Sequence, residues 1–285
     1  MKVLRTIQEL RSALDQEASP TAFVPTMGAL HDGHLALVKE AASGHVAVVM
    51  SIFVNPLQFN DKQDYEGYPD TLDEDIRQAE AAGVTHLFLP DLHELYPAGP
   101  EGMSTFIHVT KGVEVLCGAH RPGHFDGVAT VVMKLLQIVS PDWAYFGRKD
   151  AQQAAVIENM VSDYHVPVKI ITVQTVRETD GLAMSSRNVR LRPEERKDAP
   201  NIYYALQTMK NVYEEEPFSP ESGRTMLQKF VKGTVEYAEV RTYPGLELPA
   251  ENYRGTLLLA CAVQYDQARL IDNIMWTRKE EDHVS

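Results

Sequence analysis

Two histidines three residues apart, His31 and His34, flank Gly33 in the stretch Phe23-Val-Pro-Thr-Met-Gly-Ala-Leu-His-Asp-Gly-His-Leu35. An apolar β-type run (Ala22, Phe23, Val24) breaks at Pro25 and loosens through Thr26, Met27 and Gly28. A helical pattern then resumes at Leu35, Val38, Ala41 and Ala42. A strand-loop-helix unit of this kind points unpaired N–H groups and the positive end of a helix dipole at its turn. Glycines at 28 and 33 let a ligand approach the main chain. Two imidazoles beside free amides suit a phosphate group. A pair of surface or capping histidines is the plainer reading; their place about a glycine at a strand-to-helix turn favours the phosphate.

Other clusters follow strands. Asn55 and Gln58 come after the second apolar run; Asn-Pro opens loops, whereas Gln58 has no turn role to play. Lys149 and Asp150, in Phe146-Gly-Arg-Lys-Asp-Ala-Gln-Gln153, read either as a solvated helix cap or as a point charge for phosphate. Asp180-Gly-Leu-Ala-Met-Ser-Ser-Arg-Asn188 carries two hydroxyls, an Arg and a Gly, suited to neutralising a triphosphate or to nothing more than a polar linker. Asp73, Glu74 and Asp75 favour a helix start electrostatically, and a carboxylate pair is also a partial Mg2+ ligand set. Arg121, in Gly118-Ala-His-Arg-Pro-Gly-His-Phe125, suits a carboxylate. The sequence names no partner for His120 or His124.

The elements that must position these groups read as a short helix over 5–15, strands at 21–25, 45–54 and 85–89, and helices after the His pair to Gly44 and over 71–82. A strand near 106–109, a helix over 127–139, a strand at 142–146, a helix over 150–164 and a strand at 168–173 follow. This alternation predicts a doubly wound α/β domain with its polar clusters at the carboxyl ends of parallel strands. After a polar hinge within 176–192, helices over 193–214 and 219–232 and strands at 235–243, 255–264 and 268–272 predict a smaller α+β domain. The expected division is 1–176 and 177–285, with a frayed tail over 278–285.

Composition sets outer limits. The 285 residues are 44% hydrophobic and 24% charged, as in ordinary globular proteins. A net charge of −13 argues against nucleic-acid binding, which depends on clustered Lys and Arg. The N-terminal residues lack the apolar core of a secretory signal, and the run over 46–54 is shorter than the roughly 20 residues of a membrane span. Cys117 and Cys261 are far apart and in no metal-like spacing, so a cytoplasmic setting is expected.

Six blocks, in order along residues 25–274, resemble the pantothenate synthetase (pantoate–β-alanine ligase) family. They are Pro25–His34, Ser51–Phe59, Arg121–Phe125, Tyr145–Gln153, Val176–Asn188 and Arg269–Ile274. The resemblance implies a Rossmann-like fold of the nucleotidyltransferase and class I synthetase kind, a homodimer, and a mobile C-terminal lid carrying Met184-Ser185-Ser186-Arg187. It implies condensation of pantoate with β-alanine, with ATP as substrate and Mg2+ as cofactor, through a pantoyl-adenylate that yields AMP and pyrophosphate. ATP contacts are then expected at Met27, Gly28, Ala29, Leu30, His31, Asp32, Gly33, His34, Gly147, Arg148, Lys149, Asp150, Val176, Met184, Ser185, Ser186 and Arg187. His34 would be the proton donor, assisted by His31, Lys149, Ser185, Ser186 and Arg187. Gln58 would be the shared contact of pantoate and β-alanine, Gln153 a second pantoate contact and Asn55 and Arg121 further substrate contacts, and Glu74 and Asp75 would hold the metal. Arg148 departs from the Glu or Gln common in the family before Lys-Asp. The rivals are an aminoacyl-tRNA synthetase or other nucleotidyltransferase, against which the acidic charge counts, and a catalytically silent nucleotide-binding protein.

Overall fold

The computed structural model describes residues 1–17, 20–44, 47–60 and 65–278. Two compact units divide them. The first comprises Met1–Thr110, Arg121–Arg148 and Val156–Gln174, the second Lys111–His120, Lys149–Ala155 and Thr175–Ser285.

In the first unit a six-stranded sheet has the order β1-β4-β3-β2-β5-β6. Its strands are β1 Lys2–Leu4, β2 Thr21–Thr26, β3 Ala47–Ile52, β4 His86–Phe88, β5 Trp143–Gly147 and β6 Lys169–Val173, all parallel. Helices α1 Ile7–Leu14, α2 Asp32–Gly44, α3 Leu72–Ala82 and α6 His124–Val139 connect them, with a single turn α4 at Leu92–Leu95. Parallel strands covered on both faces need apolar residues on both, which explains the unbroken run Ala47-Val-Val-Met50. Ala22 and Val24 of β2 join the core formed with Leu37, Val38 and Ala41 of α2 and Ala79 of α3. Phe23 points to the opposite face, where α6 packs on β2.

The order reverses at β2, with β3 on one side and β5 on the other. The β2–β5 ladder holds only Ala22↔Trp143 and Phe23↔Ala144, so the two strands part before their carboxyl ends. Such a switch point is where open α/β sheets bind ligands. The connections that follow Thr26 and Gly147 leave from it.

In the second unit β7 Thr234–Thr242, β8 Gly255–Gln264 and β9 Arg269–Arg278 form an antiparallel sheet in that order. One face packs Leu257, Leu259, Cys261 and Val263 against Ile202, Leu206 and Met209 of α9 Asn201–Glu215 and Leu227 of α10 Pro220–Gln228. The other face sets Leu258, Ala260 and Ala262 against Leu116 of the one-turn helix α5 Leu116–Ala119 and Ala151 and Ala155 of α7 Ala151–Asp163. Burial of both faces explains the unbroken apolar run of β8. It also explains why 111–120 and 149–155 group with this unit. Cys117 and Cys261 are free thiols.

The α/β class with a smaller α+β region is the fold observed, and several details differ from the expected elements. The segment 106–109 is not a strand. The N–H groups of Ile107 and Val109 donate to Thr130 Oγ1 and Asp126 Oδ1 at 3.0 and 2.9 Å, two side chains one turn apart on α6. β2 does not stop at Pro25 but keeps its register with β3 through Thr26↔Ile52. β1 was not expected. The helix expected over 193–214 is α8 Pro193–Asp198 and then α9, separated at Pro200, which has no N–H to continue the ladder. The helix expected over 219–232 ends at Gln228, and the strand expected at 268–272 extends to Arg278. The expected strand positions 45–46 and the tail over 279–285 lie outside the described residues.

Candidate active site

The turn after β2 is built around a buried carboxylate. Gly28 and Ala29 both take left-handed backbone angles, with φ of 85° and 49°, which turns successive N–H groups inward as a nest. Asp75 on α3 fills the nest, its Oδ2 and Oδ1 accepting from Ala29 N and Leu30 N at 2.9 and 2.8 Å, with Thr71 Oγ1 donating to it as well. A Cβ at Gly28 would lie 3.0 Å from Asp75 Oδ2, so the close approach needs glycine. The expected cradle of free amides is therefore corrected. The N–H groups of Ala29 and Leu30 are taken by Asp75, and that of Gly28 faces Thr26 Oγ1 at 3.3 Å.

The chemistry of the turn passes instead to the imidazoles. His31 N donates to His34 Nδ1 at 3.3 Å, and Gly33 N donates to His31 Nδ1 at 3.1 Å. A ring nitrogen that accepts from a main-chain N–H carries no proton, so each neutral ring presents Nε2–H as its donor. The ring centroids are 4.1 Å apart at 31°. A Cβ at Gly33 would fall 2.7 Å from His31 Cε1, which explains the glycine between the histidines. His31 O accepts from His34 N and Leu35 N, opening α2.

Gln58 lies in a one-turn 3-10 segment, Pro56–Gln58, after β3, and contacts Met27 Sδ through Nε2. Its main-chain carbonyl accepts from His124 Nδ1 at 2.7 Å and Arg121 NH2 at 3.2 Å. Because that carbonyl can only accept, His124 holds its proton on Nδ1, and its Nε2 faces Arg121 NH1 at 3.3 Å. His124 thus has partners the sequence did not reveal. Asn55 is buried with its carboxamide engaged by Tyr96, Gly127 and Gln58. Arg148 donates through Nε to Thr172 Oγ1 on β6 at 3.2 Å.

In the second unit, residues 176–188 fold back on themselves. Met184 N donates to Val176 O at 2.9 Å, Arg177 bridges Ala183, and Glu178 N donates to Leu182 O at 2.8 Å. Arg177 grips buried Asp272 with two N–H···O bonds of 2.7 and 2.9 Å and lies 3.6 Å over the Tyr203 ring. Burial pushes the Asp272 carboxyl up while Arg177 opposes it. Arg196 pairs with Glu178 and Asp180, both at 2.5 Å. Burial works against the charge of Asp180, yet Arg196 and the Leu182 N–H hold its carboxyl below the ordinary range. Met184, Ser185, Ser186 and Arg187 are half-buried at the end of this hairpin, with Ser185 Oγ accepting from Arg187 N at 3.2 Å.

Lys149 lines a cavity of about 10 Å3, room for one water, with Ser185, Leu182 and Asp272, and its carbonyl accepts from Asn273 Nδ2 at 2.8 Å. Asp150 ends a 3-10 turn, Arg148–Asp150, that runs directly into α7. The Gln pair is split. Gln152 is buried, accepting from Cys117 N and donating to Gly112 O and Val115 O, whereas Gln153 is half-buried on the next face of the helix.

The residues expected to hold a metal do not fit one as arranged. Both Asp75 oxygens already accept N–H and O–H donors. Glu74, one position away and on another side of α3, is exposed and engaged by Arg77 and Gln78; the Arg77 guanidinium holds its carboxyl below the ordinary range. Among the described residues no group of three His, Cys, Asp or Glu side chains is placed to hold a metal ion, and no helix is long and apolar enough to cross a membrane.

Comparison with known proteins identifies the family. The sequence model described as pantoate–β-alanine ligase matches residues 2–275. A protein of Halalkalibacterium halodurans named pantothenate synthetase is 49% identical over 282 residues, covering 96% of this chain and 98% of its own. The crystal structure of pantothenate synthetase from Thermus thermophilus superposes with a TM-score of 0.86 at 44% identity, covering 96% of this chain and 99% of that one. The pantoate–β-alanine ligase of Francisella tularensis, solved in complex with β,γ-ATP and β-alanine, gives a TM-score of 0.78 at 34% identity, with 96% and 97% covered. Identity of this extent along nearly the whole length leaves one assignment: the chain belongs to the pantoate–β-alanine ligase family.

Proposed function

We propose that this pantoate–β-alanine ligase condenses its substrates with ATP through a pantoyl-adenylate. The pantoate carboxylate is already a nucleophile, so the first step calls for charge neutralisation and in-line positioning rather than a strong base. A carboxylate oxygen bonds to the α-phosphorus as the bond to the bridging oxygen breaks, and pyrophosphate leaves with the electron pair. In the second step the neutral β-alanine amine attacks the acyl carbon. The C–N bond forms, AMP departs, and the amine proton goes to solvent.

The observation that carries this reading is the placement of His31 and His34, each ring held through Nδ1 by a main-chain N–H, on the turn that leaves the switch point of the parallel sheet. In our assignment both rings serve phosphate oxygens through Nε2–H, His34 as the hydrogen-bond donor to the oxygen that takes up charge. Met27–His34, Gly147–Asp150, Val176 and Met184–Arg187 contact ATP, and Lys149, Ser185, Ser186 and Arg187 offset the charge that moves onto pyrophosphate. Gln58, Gln153 and Arg121 hold pantoate. Mg2+ enters as the counter-ion of the triphosphate. The working form is a cytoplasmic homodimer.

Pantoate labelled with 18O in its carboxylate tests the intermediate. One labelled oxygen should appear in AMP for each turnover. AMP free of label would exclude the adenylate, and ATP–pyrophosphate exchange driven by an amino acid but not by pantoate would exclude this substrate.

A further inference from the structure

Asn55 is 1% exposed, and its carboxamide is spent inside the first unit. Its Nδ2 donates to Gly127 O at 3.1 Å and Gln58 Oε1 at 3.3 Å, and its Oδ1 accepts from Tyr96 OH at 2.9 Å. The carbonyl of Gly127 can only accept, so the NH2 group must face it; a flipped amide would set two oxygens against each other. That orientation obliges the Tyr96 hydroxyl to donate. Tyr96 is 0% exposed, and burial pushes its phenol up, which keeps the proton in place.

The direction then passes to Gln58. Its Oε1 receives the Asn55 N–H, so its Nε2 is the end turned away from Asn55. That end rests on Met27 Sδ, a weak acceptor easily exchanged for a ligand oxygen. The main chain is pinned separately, through the bonds from His124 and Arg121 to Gln58 O. Gly127 permits the contact of α6 with this turn, since a Cβ there would lie 2.3 Å from Leu57 O.

We propose that Tyr96 and Asn55 are positioning residues that lock Gln58 as a hydrogen-bond donor, so that Gln58 recognises an oxygen acceptor of pantoate, either carboxylate or hydroxyl. Asn55 then acts through Gln58 rather than on the substrate. This rests on Gln58 as a pantoate contact, a dependence the experiment keeps separate.

Steady-state constants for pantoate and ATP are measured for Tyr96→Phe, Gln58→Ala, Gln58→Glu and the double variant Tyr96→Phe/Gln58→Ala, each checked for folding by thermal melting. Tyr96→Phe should raise the pantoate KM by about 2- to 12-fold, the range expected for one hydrogen bond, with kcat and the ATP KM within about twofold. Gln58→Glu keeps the shape but loses the donors and should bind pantoate worse than Gln58→Ala. In the Gln58→Ala background Tyr96→Phe should add less than about twofold. If Tyr96→Phe fails to fold, Asn55→Ser takes its place in the cycle. An unchanged pantoate KM in Gln58→Ala would overturn the substrate assignment and the relay with it. Impaired Gln58→Ala beside wild-type-like Tyr96→Phe, or undiminished Tyr96→Phe loss in the double variant, would overturn the relay alone. Gln58→Glu equal to wild type would overturn the donor assignment.

Discussion

The turn at 26–34 and the hairpin at 176–188 both hold polar side chains on short connections, and they do so with opposite electrostatics. In the turn a buried anion, Asp75, is held by dipoles, the N–H groups of Ala29 and Leu30 and the Thr71 hydroxyl. In the hairpin, anions are held by cations: Asp272 by Arg177, and Glu178 and Asp180 by Arg196. The difference matters because N–H dipoles are fixed by the backbone, whereas a guanidinium is itself a charge that must be compensated. The turn can therefore present neutral imidazoles at a defined angle. The hairpin depends on both partners of every pair being present.

The largest expected effect tests the chemical end of the turn. His34→Ala should slow adenylate formation by about 10^2- to 10^3-fold, the usual cost of removing one hydrogen-bond donor to a developing charge, with melting unchanged. Pre-steady-state pyrophosphate release reads the step; near-wild-type turnover with a lowered melting temperature would make His34 a structural residue. Next comes the ionic brace. Asp272→Ala leaves the Arg177 charge uncompensated and should cost about 3–5 kcal/mol of stability. The protein has two tryptophans, Trp143 in the first unit and Trp276 in the second, so urea unfolding followed by Trp276 emission in a Trp143→Phe background reports this loss. A cost below about 1 kcal/mol would show that the pair barely offsets its own desolvation. Asp75→Asn keeps the shape but turns an NH2 toward N–H donors, and should cost about 1–3 kcal/mol, read by Trp143 in a Trp276→Phe background. A loss larger than that of Asp272→Ala would reverse the comparison.

The smallest effect is in pH. Burial, then Lys2, lowers the pKa of His86 on β4, while Glu17 opposes them. Between the lowered folded value and about 6.5 the unfolded chain binds more protons, so stability is retained at neutral pH and falls as pH drops through that window. For Asp180, whose carboxyl is also lowered, the same sign places the loss below about pH 4. Trp143 emission should therefore respond to acid before Trp276 emission, and His86→Gln should flatten the earlier phase. Simultaneous responses would contradict the assignment.

Much of the first unit was legible because its signals are local. The βα alternation, the Gly28 and Gly33 positions and the Asn55–Gln58 spacing are properties of short windows, and the six motif blocks carried the family. The strand expected at 106–109 failed because Thr130 and Asp126, on a later helix, supply its N–H groups with partners that strand propensity cannot foresee. The expected free amides failed for the same reason: Asp75 reads as an N-terminal helix acid, and nothing local shows that it fills the preceding turn.

The sequence by itself determined the residue types at the site, the βα alternation over 21–173 apart from the segment 106–109, and the family. Tertiary structure alone decided which donors remain for a ligand. Asp75 meets Leu30 across 45 residues and Tyr96 meets Asn55 across 41, contacts set by the sheet order β4-β3-β2. Hydrogen-bond direction is a property of such closed networks. An amide or an imidazole has two ends of opposite character, and only the partners brought to it by the fold settle which end faces the substrate.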